Sequence, residues 1–184
     1  MDRQPAWVVL TPAGRLVVEA AQRELRRGTL DLVLTETESA IGRATPAGAR
    51  DVPVLDEPWL VVLPAHHPAP ERLTDLRHAT WLGAEPGHAA DQVVQRAHAA
   101  SGATTPLTHR YDDYTVALSL VAADLGVAVV PALAVPDLLP DTVQVVTLLG
   151  LGTRQIVARH RTTGGAPGAA TLAVLDHLLA AAGG

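Results

Sequence analysis

The sequence has no cysteine, no phenylalanine and no lysine, and these absences exclude several kinds of site. Without cysteine the chain can form neither a disulfide nor a thiolate metal site. Without lysine it has no P-loop, whose lysine contacts nucleotide phosphates. No apolar run reaches the roughly 18 residues that a membrane helix needs, so we expect a cytoplasmic, soluble chain with no membrane partner.

Clusters of positively charged residues are also scarce. The formal net charge is −5 over 184 residues, a length that suits one good-sized domain or two small lobes. An acidic chain lacks the electrostatic footprint of a general nucleic-acid binder. The one dense basic run, Arg23, Arg26 and Arg27, is explained by a helix end, where cations are favoured. We therefore expect no autonomous DNA binding.

Hydrophobic periodicity predicts an α/β fold. Trp7–Leu10 has the pattern of a strand, Gly14–Arg27 that of a helix stopped by Gly28, and Leu30–Thr35 that of a second strand. Strand, helix and strand with short joints indicate a right-handed βαβ unit. Strands and helices continue to alternate, which favours mostly parallel sheets.

The remaining elements are bounded by glycine, proline and acidic residues. We predict further strands or extended segments at Val52–Leu55, Trp59–Leu63, Thr80–Gly83, Pro106–Arg110, Val127–Val130, Val143–Leu148 and Gln155–Arg161. Asp56–Pro58 is expected to separate the first two. We predict helices at Leu73–His78, Ala89–Ser101, from Asp112 or Asp113 to about Asp124, and Ala169–Ala181.

Three segments in this order resemble the effector-binding domain of LysR-type transcriptional regulators. They are Glu24–Thr35 (ELRRGTLDLVLT), Val54–Pro68 (VLDEPWLVVLPAHHP) and Asp113–Pro131 (DYTVALSLVAADLGVAVVP). Each segment is moderately specific, and their order and spacing together make the resemblance strong. It covers about residues 5–181.

The resemblance implies a two-lobed, type II periplasmic-binding-protein-like fold. Residues 1–63 would form the N-terminal part of the first lobe, 64–136 the second lobe, and 137–184 the return to the first lobe with a closing helix. It also implies a sensor that binds a small polar effector between its lobes. Such a domain would act through a homodimer, or a heterodimer with an intact regulator.

The sequence departs from the family at its start. No winged helix-turn-helix fits before Trp7, and the first strand and helix of the effector domain have no counterpart, so the first lobe is expected to be incomplete. A second alignment relates Val8–Gln22 to the end of the DNA-binding domain, fused to the effector domain by an internal deletion. Both alignments stay open, as does a non-functional truncated regulator.

Candidate effector residues follow from the fold. Strand ends and helix starts face the crevice of such sheets, where free N–H groups favour ligands. The candidates at these places are Thr35, Glu36, Gly83, Glu85, Gly87, His88, Asp112, Asp113 and Tyr114. Asp112 or Asp113 is also the natural N-cap of a helix. Because Glu85 and Asp112 would repel an anion, a cationic or neutral polar effector is favoured.

No pattern indicates catalysis, a cofactor or a metal. His78, His88 and His98 fall on three different elements, and the side chains of His66 and His67 would diverge in an extended segment. There is no Gly-x-Ser-x-Gly motif. An enzyme on the same scaffold is the alternative, with Glu85, His88 and Asp113 as its candidate acid–base groups.

Overall fold

The computed structural model describes residues 23–38, 45–86, 89–162 and 166–183. The predicted strand Trp7–Leu10, and the predicted helix up to residue 22, lie outside these ranges. Residues 23–27 are helical, and the helix ends at Gly28, which has a φ of 84° and donates its N–H to the Glu24 carbonyl at 2.9 Å. None of the described helices is long and apolar enough to cross a membrane.

In the described residues after Gly28, seven strands and three α-helices occur in chain order. They are β1 (Leu32–Glu38), β2 (Ala49–Pro64), β3 (Leu82–Ala84), α1 (Ala89–Ser101), β4 (Thr108–Tyr111), α2 (Tyr114–Ala122), β5 (Ala128–Pro131), β6 (Val143–Val146), β7 (Thr153–Arg161) and α3 (Ala169–Ala182). Short 3-10 helices occur at Leu73–Leu76 and Ala132–Ala134. The predicted α/β character is confirmed, and α1 has the predicted bounds.

Strand β2 joins two halves of one sheet. The sheet has the order β1-β7-β2-β5, and β6 also pairs with β2. The first part of β2, Ala49–Pro58, pairs with β7. Its second part, from Trp59 to Pro64, pairs with β5 and β6. We call β1, β7 and Ala49–Pro58 the first lobe, and Trp59–Pro64 with β3 to β6, α1 and α2 the second lobe.

The expectation of mostly parallel sheets is wrong for the described strands. Every pairing in the five-stranded sheet is antiparallel. Parallel pairing occurs between β3 and β4 and at the Trp81–Val127 bridge. Parallel neighbours need a crossover of about a dozen residues or more. Strands β3 and β4 are connected by such a crossover through α1 (Ala89–Ser101), which allows their parallel pairing.

The predicted break in β2 at Asp56–Pro58 is also wrong. Asp56, Glu57 and Pro58 pair with Gln155, Arg154 and Thr153, so the strand continues through them. A register shift between Pro53 and Leu55 marks the one irregularity in this ladder. Proline lacks the N–H that a ladder needs, and Pro58 stands where β2 changes from one partner strand to the next.

The main hydrophobic core belongs to the second lobe. Helix α1 buries Ala90, Val93, Val94 and Ala97, the spacing of one helical face, and Trp81 lies fully buried in the same cluster. Gly102 ends α1 with a φ of 75°, as predicted.

Candidate functional site

Three charged side chains share one face of the first-lobe sheet. Arg154 lies on the central strand β7, directly across from Glu57 of β2, and Glu36 of β1 pairs with Ile156, two residues further along β7. Because side chains alternate between the faces of a strand, this register places all three on the same side. Thr35, the neighbour of Glu36, therefore lies on the opposite face.

Arg154 and Glu57 form a buried ion pair. Only 8% of the Arg154 side chain and 4% of the Glu57 side chain are exposed. Nε and Nη2 of Arg154 both donate to Oε1 of Glu57, with an Nε–Oε1 distance of 2.7 Å. Nη1 lies 3.1 Å from Oε2 of Glu36, whose side chain is 42% exposed. Two carboxylates thus surround one guanidinium.

Burial lowers the pKa of Arg154, but the Glu36 and Glu57 carboxylates outweigh it and raise that pKa above its ordinary value. The guanidinium therefore stays charged. By formal charge, the two carboxylates and one guanidinium of this group carry one more negative than positive charge.

Residues of the second lobe contact the other side of this ion pair. Oε2 of Glu57 accepts the Leu133 N–H at 2.6 Å, just after β5. The ring centroids of Trp59 and Tyr114 lie 6.0 and 5.9 Å from the Arg154 guanidinium carbon, within the range of cation–π contacts. We call Glu36, Glu57, Trp59, Tyr114 and Arg154 the junction cluster.

Two buried aromatic side chains place polar atoms in the junction cluster, and these atoms are shielded from water. The indole N–H of Trp59 is buried and has no hydrogen-bond partner among the described residues. Burial, and then the Glu36 charge, raise the pKa of Tyr114, so its hydroxyl stays protonated. The two rings pack edge to face, with centroids 6.4 Å apart.

The predicted site residues are not all brought together. Glu36 and Tyr114 belong to the junction cluster. Gly83 is buried in β3, and a Cβ there would meet Arg110 and Leu107. Glu85 follows β3, where its N–H donates to the Tyr111 carbonyl at 2.8 Å. Gly87 and His88 lie outside the described residues.

The two aspartates before α2 have different places. Asp113 is the N-cap, and its Oδ1 accepts the Thr115 N–H at 2.6 Å. Asp112 is half-buried and precedes it. Because the Asp113 carboxylate caps the helix, the prediction that one of these aspartates is the N-cap is confirmed for Asp113.

Three members of the cluster were not predicted, namely Glu57, Trp59 and Arg154. A signal for Glu57 exists in the sequence, since it shares a face of β2 with Trp59 and Val61 and is buried with them. A buried carboxylate needs a charged or hydrogen-bonding partner. The pattern does not say which arginine supplies it.

The His66 and His67 side chains were expected to diverge only in an extended segment, and that condition is not met. The two ring centroids lie 4.9 Å apart, because residues 65–67 form a turn after β2 rather than an extended segment.

A comparison with models of protein families identifies one matching family. The sequence model of the LysR substrate binding domain matches residues 15–183. No curated protein sequence matches the chain. The OxyR regulatory domain from Pseudomonas aeruginosa, in its reduced form, has a TM-score of 0.68 and 23% identity, with 88% of this chain and 77% of that chain covered.

Two further solved structures are similar in fold. The Synechocystis PCC6803 CcmR regulatory domain in complex with 2-PG has a TM-score of 0.69 and 16% identity, with 89% of this chain and 79% of that chain covered. A Corynebacterium glutamicum OxyR mutant has a TM-score of 0.66 and 20% identity, with 89% of this chain covered. This chain spans 51% of that protein's length. The matched residues and the two-lobed fold together show that the chain belongs to the LysR substrate binding domain family.

Proposed function

We propose that this chain is a sensor that binds a small polar effector at the junction cluster. One observation carries the proposal: the Glu57 carboxylate binds Arg154 of the first lobe through one oxygen and Leu133 of the second lobe through the other. An effector that competes for either contact changes how strongly the two lobes are joined. A ligand shifts such an equilibrium only through its different affinity for the two arrangements.

The charges at the cluster favour a cationic or neutral polar effector. The charge of Arg154 is already matched by Glu57 and Glu36, so a ligand carboxylate must displace one of them. Glu36 is the more exposed of the two and can contact a cation. The rings of Trp59 and Tyr114 also attract cations. The Trp59 N–H offers a donor to a ligand oxygen.

Thermal unfolding of the chain with matched sets of amines, neutral polyols and organic acids tests this proposal. We expect the melting temperature to rise with an amine or a neutral polar compound, and not with an acid. A ligand at about 100 times its dissociation constant adds about 2.7 kcal/mol of stability. Stabilisation by organic acids alone would contradict the proposed effector class.

A charge-matched pair of variants locates the effect. Glu36→Gln removes one carboxylate from Arg154, so we expect weaker binding of amines and new binding of acids. Glu71→Gln makes the same change of net charge at an exposed position outside the cluster and is expected to leave the ligand preference unchanged. Equal effects of the two variants would show that the ligand binds elsewhere.

The assembly proposed with this function is a homodimer or a pair with an intact regulator, without DNA binding by this chain alone and without catalysis. Light scattering of the purified chain, alone and mixed with a full-length LysR-type regulator, tests the two assemblies.

We propose Trp59 as the division between the lobes on β2, because the partner strands change there.

A further inference from the structure

We propose that His66, His67 and Asp124 form a binding site for one Zn²⁺ ion, separate from the junction cluster. One ligand atom from each of the three side chains lies within 4.8 Å of the other two. His66 Nε2 lies 3.7 Å from Oδ1 of Asp124, too far for a hydrogen bond. The His66 and Asp124 side chains thus lie close together without a hydrogen bond between these two atoms.

The backbone that carries the two histidines is held in place. The side-chain amide of Gln144 donates to the carbonyls of Pro64 and His67 at 3.2 and 2.6 Å. The His67 N–H donates to the Pro64 carbonyl at 3.1 Å, and the Ala65 N–H to the Thr142 carbonyl at 2.8 Å. Because the turn that carries both imidazoles is fixed, little further ordering of the backbone is required when an ion binds.

Asp124 stands where an acidic side chain is otherwise unfavourable. It follows the end of α2 with a φ of 61°, a conformation that usually takes glycine or asparagine. The C-terminal end of a helix also carries partial negative charge, which disfavours a carboxylate. A cation bound between Asp124 and the histidines would offset that repulsion.

The chemistry of these groups fits zinc. Imidazole nitrogen and carboxylate oxygen bind Zn²⁺ at about 2.0–2.2 Å, which sets tetrahedral ligand atoms about 3.4 Å apart. The side chains of His66 and Asp124 are 64% and 65% exposed, so they can rotate to close the present spacing. Three protein ligands leave a fourth position for water.

Calorimetric titration of the untagged chain with zinc chloride tests the site. We expect one ion per chain, and at least tenfold weaker binding in both His66→Ala and Asp124→Asn. Asparagine tolerates the left-handed conformation, so Asp124→Asn should melt at or above the wild-type temperature in EDTA. His177→Ala, at an exposed histidine on α3, is the matched control and should bind zinc like the wild type.

No zinc uptake by the wild-type chain overturns the proposal. Uptake that neither His66→Ala nor Asp124→Asn weakens, or that His177→Ala weakens equally, also overturns it. Because melting in EDTA reports folding independently of zinc, an unfolded variant is recognised, and the other variant then decides.

Discussion

Arg159 and Asp51 face each other across β7 and β2 in a two-point ion pair. The Nε–Oδ1 distance is 2.6 Å and the Nη2–Oδ2 distance is 2.7 Å. The hydrogen bonds from Arg159 lower the pKa of Asp51, burial opposes them, and the Thr45 hydroxyl at 2.9 Å adds to the lowering. The pair therefore stabilises the first lobe only while Asp51 is ionised.

This pair predicts an acid-sensitive part of the folding stability. Because the folded pKa of Asp51 lies below its unfolded value near 4, the contribution is present above about pH 4 and is lost as pH falls through the folded pKa. Asp51→Asn should cost about 2–3 kcal/mol at pH 7. Urea unfolding from pH 7 to pH 3 checks this. A cost that stays constant over that range would contradict the assignment.

Breaking the junction cluster should lower the folding stability more than breaking the Asp51–Arg159 pair. Glu57→Ala leaves the buried Arg154 with one partner and the Leu133 N–H with none of its present acceptors, so we expect a loss of about 3–5 kcal/mol. Glu36→Ala, at the exposed end of the same cluster, should cost less than about 1 kcal/mol. Urea midpoints of the two variants compare them. Equal costs would mean that the Glu57 contacts add little.

Two glycines with positive φ should respond differently to alanine. A Cβ at Gly126 would stand 2.5 Å from the Thr80 carbonyl oxygen, whereas a Cβ at Gly102 meets nothing within 4 Å. We expect Gly126→Ala to cost about 3 kcal/mol or more, from strain and overlap together. Gly102→Ala should cost about 1 kcal/mol, from strain alone. Thermal melts of both variants provide the measurement, and the reverse order would show that the backbone at Thr80 can shift.

The two aspartates before α2 are expected to differ in how much each contributes to folding stability. Asp113→Ala removes the N-cap bond to Thr115 and should cost about 1 kcal/mol. Asp112→Ala should change stability by less than about 0.5 kcal/mol, as expected for a position without such a role. Chemical unfolding of both variants checks the assignment. Should Asp112→Ala prove the more costly, Asp112 would have an unrecognised partner.

Local chemistry made several elements predictable. Helix α1 could be bounded from sequence because an apolar helical face and Gly102 agree with each other. The capping aspartate before α2 was narrowed to two residues, because only a short polar side chain accepts the first free N–H groups. The break expected in β2 was wrong because Pro58 disrupts pairing only where a partner needs its N–H.

Contacts between distant parts of the chain could not be read in the same way. Arg154 was assigned no strand, since the predicted strand began at Gln155. Its partner Glu57 is 97 residues away. Nothing in either local pattern selects the other, and the antiparallel pairing that aligns them depends on the order of strands in the sheet.

The two sets of partners of β2 also predict an order of folding events during synthesis. The second part of β2 meets β5, and Leu60 faces Val130. The first part waits for β7, and the Asp51–Arg159 pair spans 108 residues. Because domains begin to fold as they emerge, we expect the second lobe to form on the ribosome while Ala49–Pro58 still has an open edge. Until β7 is made, both β1 and Ala49–Pro58 lack their partner strand and are open to pairing with another chain.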